Sequence, residues 1–412
     1  MYPWNRTGRP TIPIIAGAAA AATVAALLAV AAPADAATCS SPVRYSSSSD
    51  TIYLTAPGPV DTLAEIKAAC ASAPLVQVGT GIWELNADLV LQNGATLTLD
   101  AASGVKELRL QSLPSGKLSD VSAITAQYGQ IAVRGVRVTS WNGTGPDTDH
   151  AVPAGGVRGR AFVRALSYMD GSVPRQSTMT IADSDLGFLG YNGAEAYGVA
   201  YKARGCGIDT PSVCAALDVL GSETGSRFHD NFMGTYTWGA QDMLFDGNTY
   251  ENNKDYGLDP HDDSDYLTIT NNLFTHNNNH GLICSQRCDH LLIRGNRSID
   301  NGHTPYVGPG DDDPKDNQVH GIMLHRGVTD SIIENNVVSG QINGAGIAIF
   351  DSVGNTVRGN TLSGNKYGVR FSVGTRDTLV TDNIVEKSLT NAVFSYKGTD
   401  SPVYTGTSGR PG

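Results

Sequence analysis

From about residue 197 the chain repeats itself. One half of the repeat reads Tyr197-Gly198-Val199, Met233-Gly234-Thr235, Tyr256-Gly257-Leu258, His280-Gly281-Leu282, His320-Gly321-Ile322, Ala345-Gly346-Ile347 and Tyr367-Gly368-Val369. The other half is a short apolar run closed by Gly247-Asn248, Asn271-Asn272, Gly295-Asn296, Asn335-Asn336, Gly359-Asn360 or Asp382-Asn383. Counted from Met233, successive units start 23, 24, 40, 25 and 22 residues apart, and the long step holds a polar insertion from Gly302 to Gln318. Units this short, each with two or three strand-like runs, cannot bury an apolar face alone and must stack. The Leu-x-x-Leu-x-Leu pattern of leucine-rich repeats is absent. The reading is therefore all-β: a right-handed parallel β-helix with small apolar residues inside and hydrogen-bonded asparagine ladders at its corners. Outward side chains of neighbouring coils then lie about 5 Å apart, and a row of them forms a groove suited to a linear polymer.

Upstream the sequence changes character. Arg6 and Arg9 precede an apolar run from about Ile12 to Val30, followed by Ala34-Asp35-Ala36. This is the pattern of a secretory signal, here residues 1–36, and no later run is long and apolar enough to cross a bilayer. Residues 37–75 form an N-terminal segment with an amphipathic helix over Thr62–Ala73, expected to cap the solenoid. Strand-like runs follow at Val76–Val78, Ile82–Leu85, Leu89–Leu91 and Ala95–Leu99. The β-helix is expected over 76–396, with a tail at 397–412. All six cysteines follow the signal, which points to disulfides in a secreted, extracellular protein. Proximity pairs Cys39 with Cys70, Cys206 with Cys214 and Cys284 with Cys288. No Cys-x-x-Cys pair offers a metal site. A formal charge of -11 argues against nucleic acid as partner. It permits an acidic polymer only along a locally basic groove.

Aligning the coils on their glycines brings Lys202, Trp238, His261, Ser285 and His325 into one outward column. Two positions on, Asp263 falls beside Arg287; two positions back, Asp259 falls beside Tyr236 and Ile283. In Asp259-Pro260-His261-Asp262-Asp263 a titratable imidazole sits among carboxylates. On a continuing strand Asp259, His261 and Asp263 would share one face.

Tyr256-Gly-Leu-Asp-Pro-His-Asp-Asp-Ser264, followed one coil later by His280-Gly-Leu-Ile-Cys-Ser-Gln-Arg287, resembles the mannuronan C5-epimerases. Val138–Trp141, Gly159–Val163, Leu189–Tyr191 and Ala196–Val199 resemble the same family in the same order, so the likeness spans about 130 to 340. In one departure, Gln286 separates the serine from the arginine. The resemblance implies action on a polymer of 1,4-linked β-D-mannuronate. A base removes the C5 proton while a cation offsets the carboxylate charge, and a second group returns a proton to the opposite face. His261 fits the base, since an imidazole titrates near neutrality. Arg287 fits the counter-charge as a planar bidentate donor, with Lys202 second. Asp259 would orient the base or the sugar, and Tyr256 would donate from the other face, provided Gly257 bends the chain. Trp238, Asp263, Ser285, His325 and Arg326 would contact the substrate.

Other features have plainer readings. His280 and His320 open coils and suit corner hydrogen bonding. Asp311-Asp312-Asp313-Pro314 with Asp316 offers oxygen ligands for calcium but reads first as a solvated acidic loop, so no cofactor is expected. Asn142-Gly-Thr and Asn296-Arg-Ser match the glycosylation pattern yet look like turn residues. A monomer is expected. The competing functions are a polyuronate lyase, a non-catalytic glycan-binding β-helix and, third, a glycoside hydrolase using Asp259 with Asp262 or Asp263.

Overall fold

A computed structural model describes residues 39–113, 120–149, 158–307, 319–372, 374–395, 403–405 and 408–410. The expected signal and the Asp311–Asp313 stretch lie outside these residues.

Among the described residues the strands form three long sheets that run the length of the molecule, and each coil contributes one strand to each. One coil, for example, places Leu258–His261 in the first sheet, Thr268–Thr270 in the third and Leu273–Thr275 in the second. The next coil returns to the first sheet at Leu282–Ser285, parallel to Leu258–His261. This is a parallel β-helix. Its interior is layered by like residues. Leu258, Leu282, Ile322, Ile347 and Val369 occupy one inward row, all fully buried. Phe228, Tyr250 and Phe274 stack with ring centroids 5.0 and 5.1 Å apart, the spacing of neighbouring strands.

The repeat has a local cause at each signature. In the Gly-Asn and Asn-Asn pairs the first residue takes positive φ, as at Gly247, Asn271, Gly295, Asn335 and Gly359. Glycine and asparagine tolerate that conformation best. The second residue turns inward. Its side-chain oxygen accepts the backbone N–H of the preceding coil's asparagine: Asn248 to Asn272 at 2.9 Å, Asn272 to Asn296 at 2.9 Å and Asn296 to Asn336 at 2.8 Å. A second ladder runs Asn231–Asn253–Asn277–Asn301–Gln341–Asn365. The repeat glycines answer a different need. A Cβ on Gly234 would come within 2.2 Å of the Gly257 carbonyl oxygen, and one on Gly257 within 2.4 Å of that of Gly281. Only glycine lets the coils approach there, which is why this residue sets the phase.

The helix spans Leu63–Ala69, shorter than expected. Thr62 and Glu65 form a capping box at its start, and Leu63 and Ile66 are buried. It stops at Cys70, which is disulfide-bonded to Cys39, and Pro74 disfavours helix just beyond. The Asp61 carbonyl before the helix accepts the Thr98 N–H on the first strand of the third sheet, so this segment covers an open edge. Sheet structure also extends past the expected limits. Val43–Ser46 and Thr51–Leu54 form an antiparallel pair that leads into the first sheet at Asp88–Gln92. Within the expected tail, Val403–Thr405 and Ser408–Arg410 pair with coil strands.

Cys206 and Cys214 are bonded as expected, but Cys284 and Cys288 are free thiols. Both are fully buried in the apolar interior, where they act as small core side chains. His280 and His320 are corner hydrogen-bonders. The His320 N–H donates to Nδ1 of His280, and the Ala345 N–H to Nδ1 of His320, each at 2.9 Å.

Candidate active site

The outward column of the first sheet has the register expected from the glycines. Lys202 pairs with Trp238, Trp238 with His261, His261 with Ser285, and Ser285 with His325. The first three form a stack. The Lys202 ammonium sits 4.0 Å from the Trp238 ring centroid, and that ring stacks on His261 at 5.6 Å. Trp238 Nε1 donates to the Cys206 carbonyl at 2.8 Å, so the disulfide-closed loop fixes the indole. A parallel column two residues earlier carries Ala200, Tyr236 and Asp259, with Ile283 next by register.

Asp259 is buried in the floor of this groove, and its Oδ1 has no hydrogen-bond partner among the described residues. Burial pushes its carboxyl up to about 6, with Asp262 adding to the shift and His261 opposing it. An unmatched buried carboxyl oxygen is costly unless something else meets it.

The strand ends at His261. Asp262 and Asp263 both have positive φ, so the chain turns and the expected shared face of Asp259, His261 and Asp263 does not form. The turn aims Asp262 back at the imidazole, where its carboxylate takes Nδ1 at 2.5 Å. Burial lowers the imidazole's proton affinity. The Asp262 hydrogen bond, with the charges of Asp259 and Asp262, outweighs that and raises it above the ordinary histidine value. With Nδ1 held by a carboxylate, Nε2 is the nitrogen left to exchange a proton.

Arg287 lies beside Asp263 as expected, but its guanidinium is occupied. Nε reaches Asp263 Oδ1 at 3.1 Å, Nη2 reaches Asp263 Oδ2 at 2.9 Å, and Nη2 also holds Asp262. Gln286 and Arg287 both take positive φ, and the extra residue swings the arginine toward the turn. Arg326 is exposed one coil on, and its charge acts on both His261 and His325. Burial, then Arg326 and His261, push His325 down to about 3, so it is neutral. Ser285 is buried in the column between the two histidines.

Tyr256 precedes its strand and is half-buried. It packs against the two outward apolar clusters that contain Tyr236 and Ile283 and stacks on His280 at 5.3 Å. The phenol lies with the outward clusters because Tyr256 precedes the strand, where strand alternation does not govern it.

Several residues of the site were not singled out by sequence. Tyr236 lies against His261, ring centroids 5.6 Å apart, and burial holds its phenol protonated far above the usual range. Tyr197 packs on Tyr236 at 4.9 Å, and burial, helped by Asp259, pushes it up to about 12. Glu195 pairs with Lys202 at 2.8 Å and approaches Arg164 at 3.8 Å. Tyr236 was available from the glycine alignment as the neighbour of Asp259. Glu195, in a turn between coils, left no such signal. Arg160, within the Gly159–Val163 motif, is structural: its guanidinium donates to the carbonyls of Gly190, Leu189, Asp147 and Asp230.

Known proteins resemble this chain in sequence and in fold. Residues 201–310 match the family described as a right handed beta helix region, and 311–407 match that of a periplasmic copper-binding protein (NosD). The chain is 30% identical over 240 residues to a mannuronan C5-epimerase of Pseudomonas aeruginosa, covering 58% of this chain and 40% of that protein. It is 30% identical over 226 residues to the mannuronan C5-epimerase AlgG of Azotobacter vinelandii, covering 54% of this chain and 38% of that one. Over part of its length the chain is similar in sequence to mannuronan C5-epimerases. It spans less than half the length of these two relatives. The crystal structure of the periplasmic alginate epimerase AlgG superposes with a TM-score of 0.67 at 22% identity, covering 85% of this chain and 73% of that one. At that identity the likeness bears on the fold, and it is the right-handed β-helix.

Proposed function

We propose that the groove binds a polyuronate and epimerises β-D-mannuronate units to α-L-guluronate at C5, as in an alginate-like polymer. The observation that carries this reading is the pairing at the groove centre. His261 is held through Nδ1 by Asp262, close to a buried carboxyl, Asp259, whose Oδ1 has no hydrogen-bond partner among the described residues. The relatives' names supply the reaction class.

In this reading Nε2 of His261 takes the C5 proton, and the C5–H electron pair passes into the adjacent carboxylate. Preorganised positive charge must meet that developing dianion. Arg326, exposed and electrostatically linked to His261, takes the part expected of Arg287, with Lys202 on the other side of the Trp238–His261 stack. Arg287 instead steadies Asp262 and so the base. Asp259 accepts a hydroxyl of the bound sugar. Tyr256 returns a proton to the opposite face of C5. Tyr236, beside it, is the alternative donor. Trp238, Ser285 and His325 line the sugar path. Solvent then resets the imidazolium and the phenolate. Export through the segment 1–36 accords with the two disulfides and remains part of the proposal.

Proton NMR of polymannuronate incubated with the protein in deuterated water tests it. Deuterium at C5 together with new guluronate signals supports epimerisation. Unsaturated ends instead would mark a lyase, and an unchanged polymer a binding module.

A further inference from the structure

The floor of the groove changes character along its length. Beyond Asp259 the column continues through Ile283, Met323 and Ala348 to Arg370. The three intervening side chains carry no charge, and with Ala345 and Phe350 they form an apolar cluster, to which Tyr256 and Tyr367 add. Arg370 alternates with Val369 and Phe371, which point into the core, so it belongs to the outward face. Yet it is only 8% exposed. Its guanidinium lies 4.8 Å from the Phe350 ring centroid and 6.0 Å from that of Tyr367. A cation set flush into an apolar floor between two aromatic rings is held in place before any ligand arrives, which lowers the ordering cost of binding.

We propose that Arg370 is a remote carboxylate subsite, which makes recognition depend on polymer length. This rests on the polyuronate reading above. Each coil step is about 4.8 Å, close to the advance of one 1,4-linked pyranose. Arg370 lies four register steps from Asp259, about 19 Å. It therefore meets the carboxylate of the fourth sugar past the reacting one, while the sugars between lie over Ile283, Met323 and Ala348. In the neighbouring column His325 is neutral, and the exposed Arg326 that follows it is the nearer cation, assigned above to the reacting sugar.

The test is calorimetric binding of oligomannuronates of roughly three to eight units, one per coil step, to the full chain and to Arg370→Gln and Arg370→Lys. The wild type is expected to bind more tightly once the oligomer reaches about five units on that side. Arg370→Gln is expected to lose that gain, about tenfold in Kd as for one charged hydrogen bond, with short oligomers unaffected. Arg370→Lys should recover part of the gain. Equal weakening at every length, or a drop in melting temperature with an unchanged length profile, gives Arg370 a structural role and overturns the proposal. A length profile identical to wild type overturns it too. Because binding is read without turnover, a length-dependent loss with no C5 deuteration would retain the subsite and remove the epimerase reading. Deuteration with an unaltered profile would do the reverse.

Discussion

Arg287 closes on Asp263 through two parallel hydrogen bonds, Nε to Oδ1 at 3.1 Å and Nη2 to Oδ2 at 2.9 Å, and holds Asp262 with the same nitrogen. Fork-to-fork pairs of this kind are geometrically exact and strong for surface chemistry. In the proposed mechanism this arginine acts on the imidazole through Asp262 rather than on the polymer. Arg287→Gln is expected to shift the alkaline-rising limb of the pH–rate profile upward, because Asp262 would then be shared with no cation. Arg326→Ala is expected to lower the plateau kcat far more, by about 10²-fold as for loss of one charge-stabilising group, with an upward shift of its own because the Arg326 charge lowers the imidazole's proton affinity. Steady-state kinetics across pH on both variants separates the two roles.

His261→Ala is expected to lower C5 deuterium incorporation by about 10²- to 10⁴-fold, the range for loss of a general base. Polymer affinity should stay within a few-fold of wild type, since Trp238 and the flanking cations remain. Wild-type incorporation by this variant would place the base elsewhere.

Glu223 is fully buried in the core, bound to Thr235 at 3.0 Å and to the Tyr250 hydroxyl at 2.7 Å. Burial pushes its carboxyl up to about 7, against these hydrogen bonds. A carboxyl raised in the folded state gives its full stability below the ordinary glutamate range and loses it as pH rises through about 7. The loss is on the order of 3 kcal/mol at most. Glu223→Gln should therefore flatten the fall in melting temperature between acidic and mildly alkaline pH, as read by thermal denaturation.

Asn296 accepts from the Asn272 N–H at 2.9 Å and donates to the Ile269 carbonyl at 2.8 Å. Asn296→Ala removes these bonds and those to the Asn272 and Asn336 side chains in the buried ladder, and is expected to cost about 2–4 kcal/mol. Chemical denaturation measures it. The same burial keeps Asn296 from acting as a glycan acceptor in the folded protein.

The groove column was legible because the glycine that sets its phase is required sterically in the coils from Gly198 onward. Once Gly234, Gly257 and Gly281 are aligned, Trp238, His261 and Ser285 follow by counting. The ladders were legible for a like reason, since positive φ and inward hydrogen bonding select the same two residue types each time. What escaped depends on where regular strand ends. Asp262 reaches His261 only because the backbone turns immediately after it, and alternation pointed to Asp263 instead. Arg287 was placed in the right register, but its partner in the turn decides what it does. Cys284 and Cys288 are near in sequence, yet strand geometry turns both thiols into the core. Val43–Leu54 joined the first sheet unannounced, because a short pair set among serines carries no repeat signature.

The constant register of the three sheets also makes the molecule divisible. Since each coil is bonded to its neighbours in the same way, duplicating one coil between Met323 and Ala348 would leave every ladder continuous and move Arg370 outward by a single sugar. On the subsite and mechanism proposed above, preference for chain length would change in whole units, by gain or loss of a coil, with the surroundings of His261 untouched.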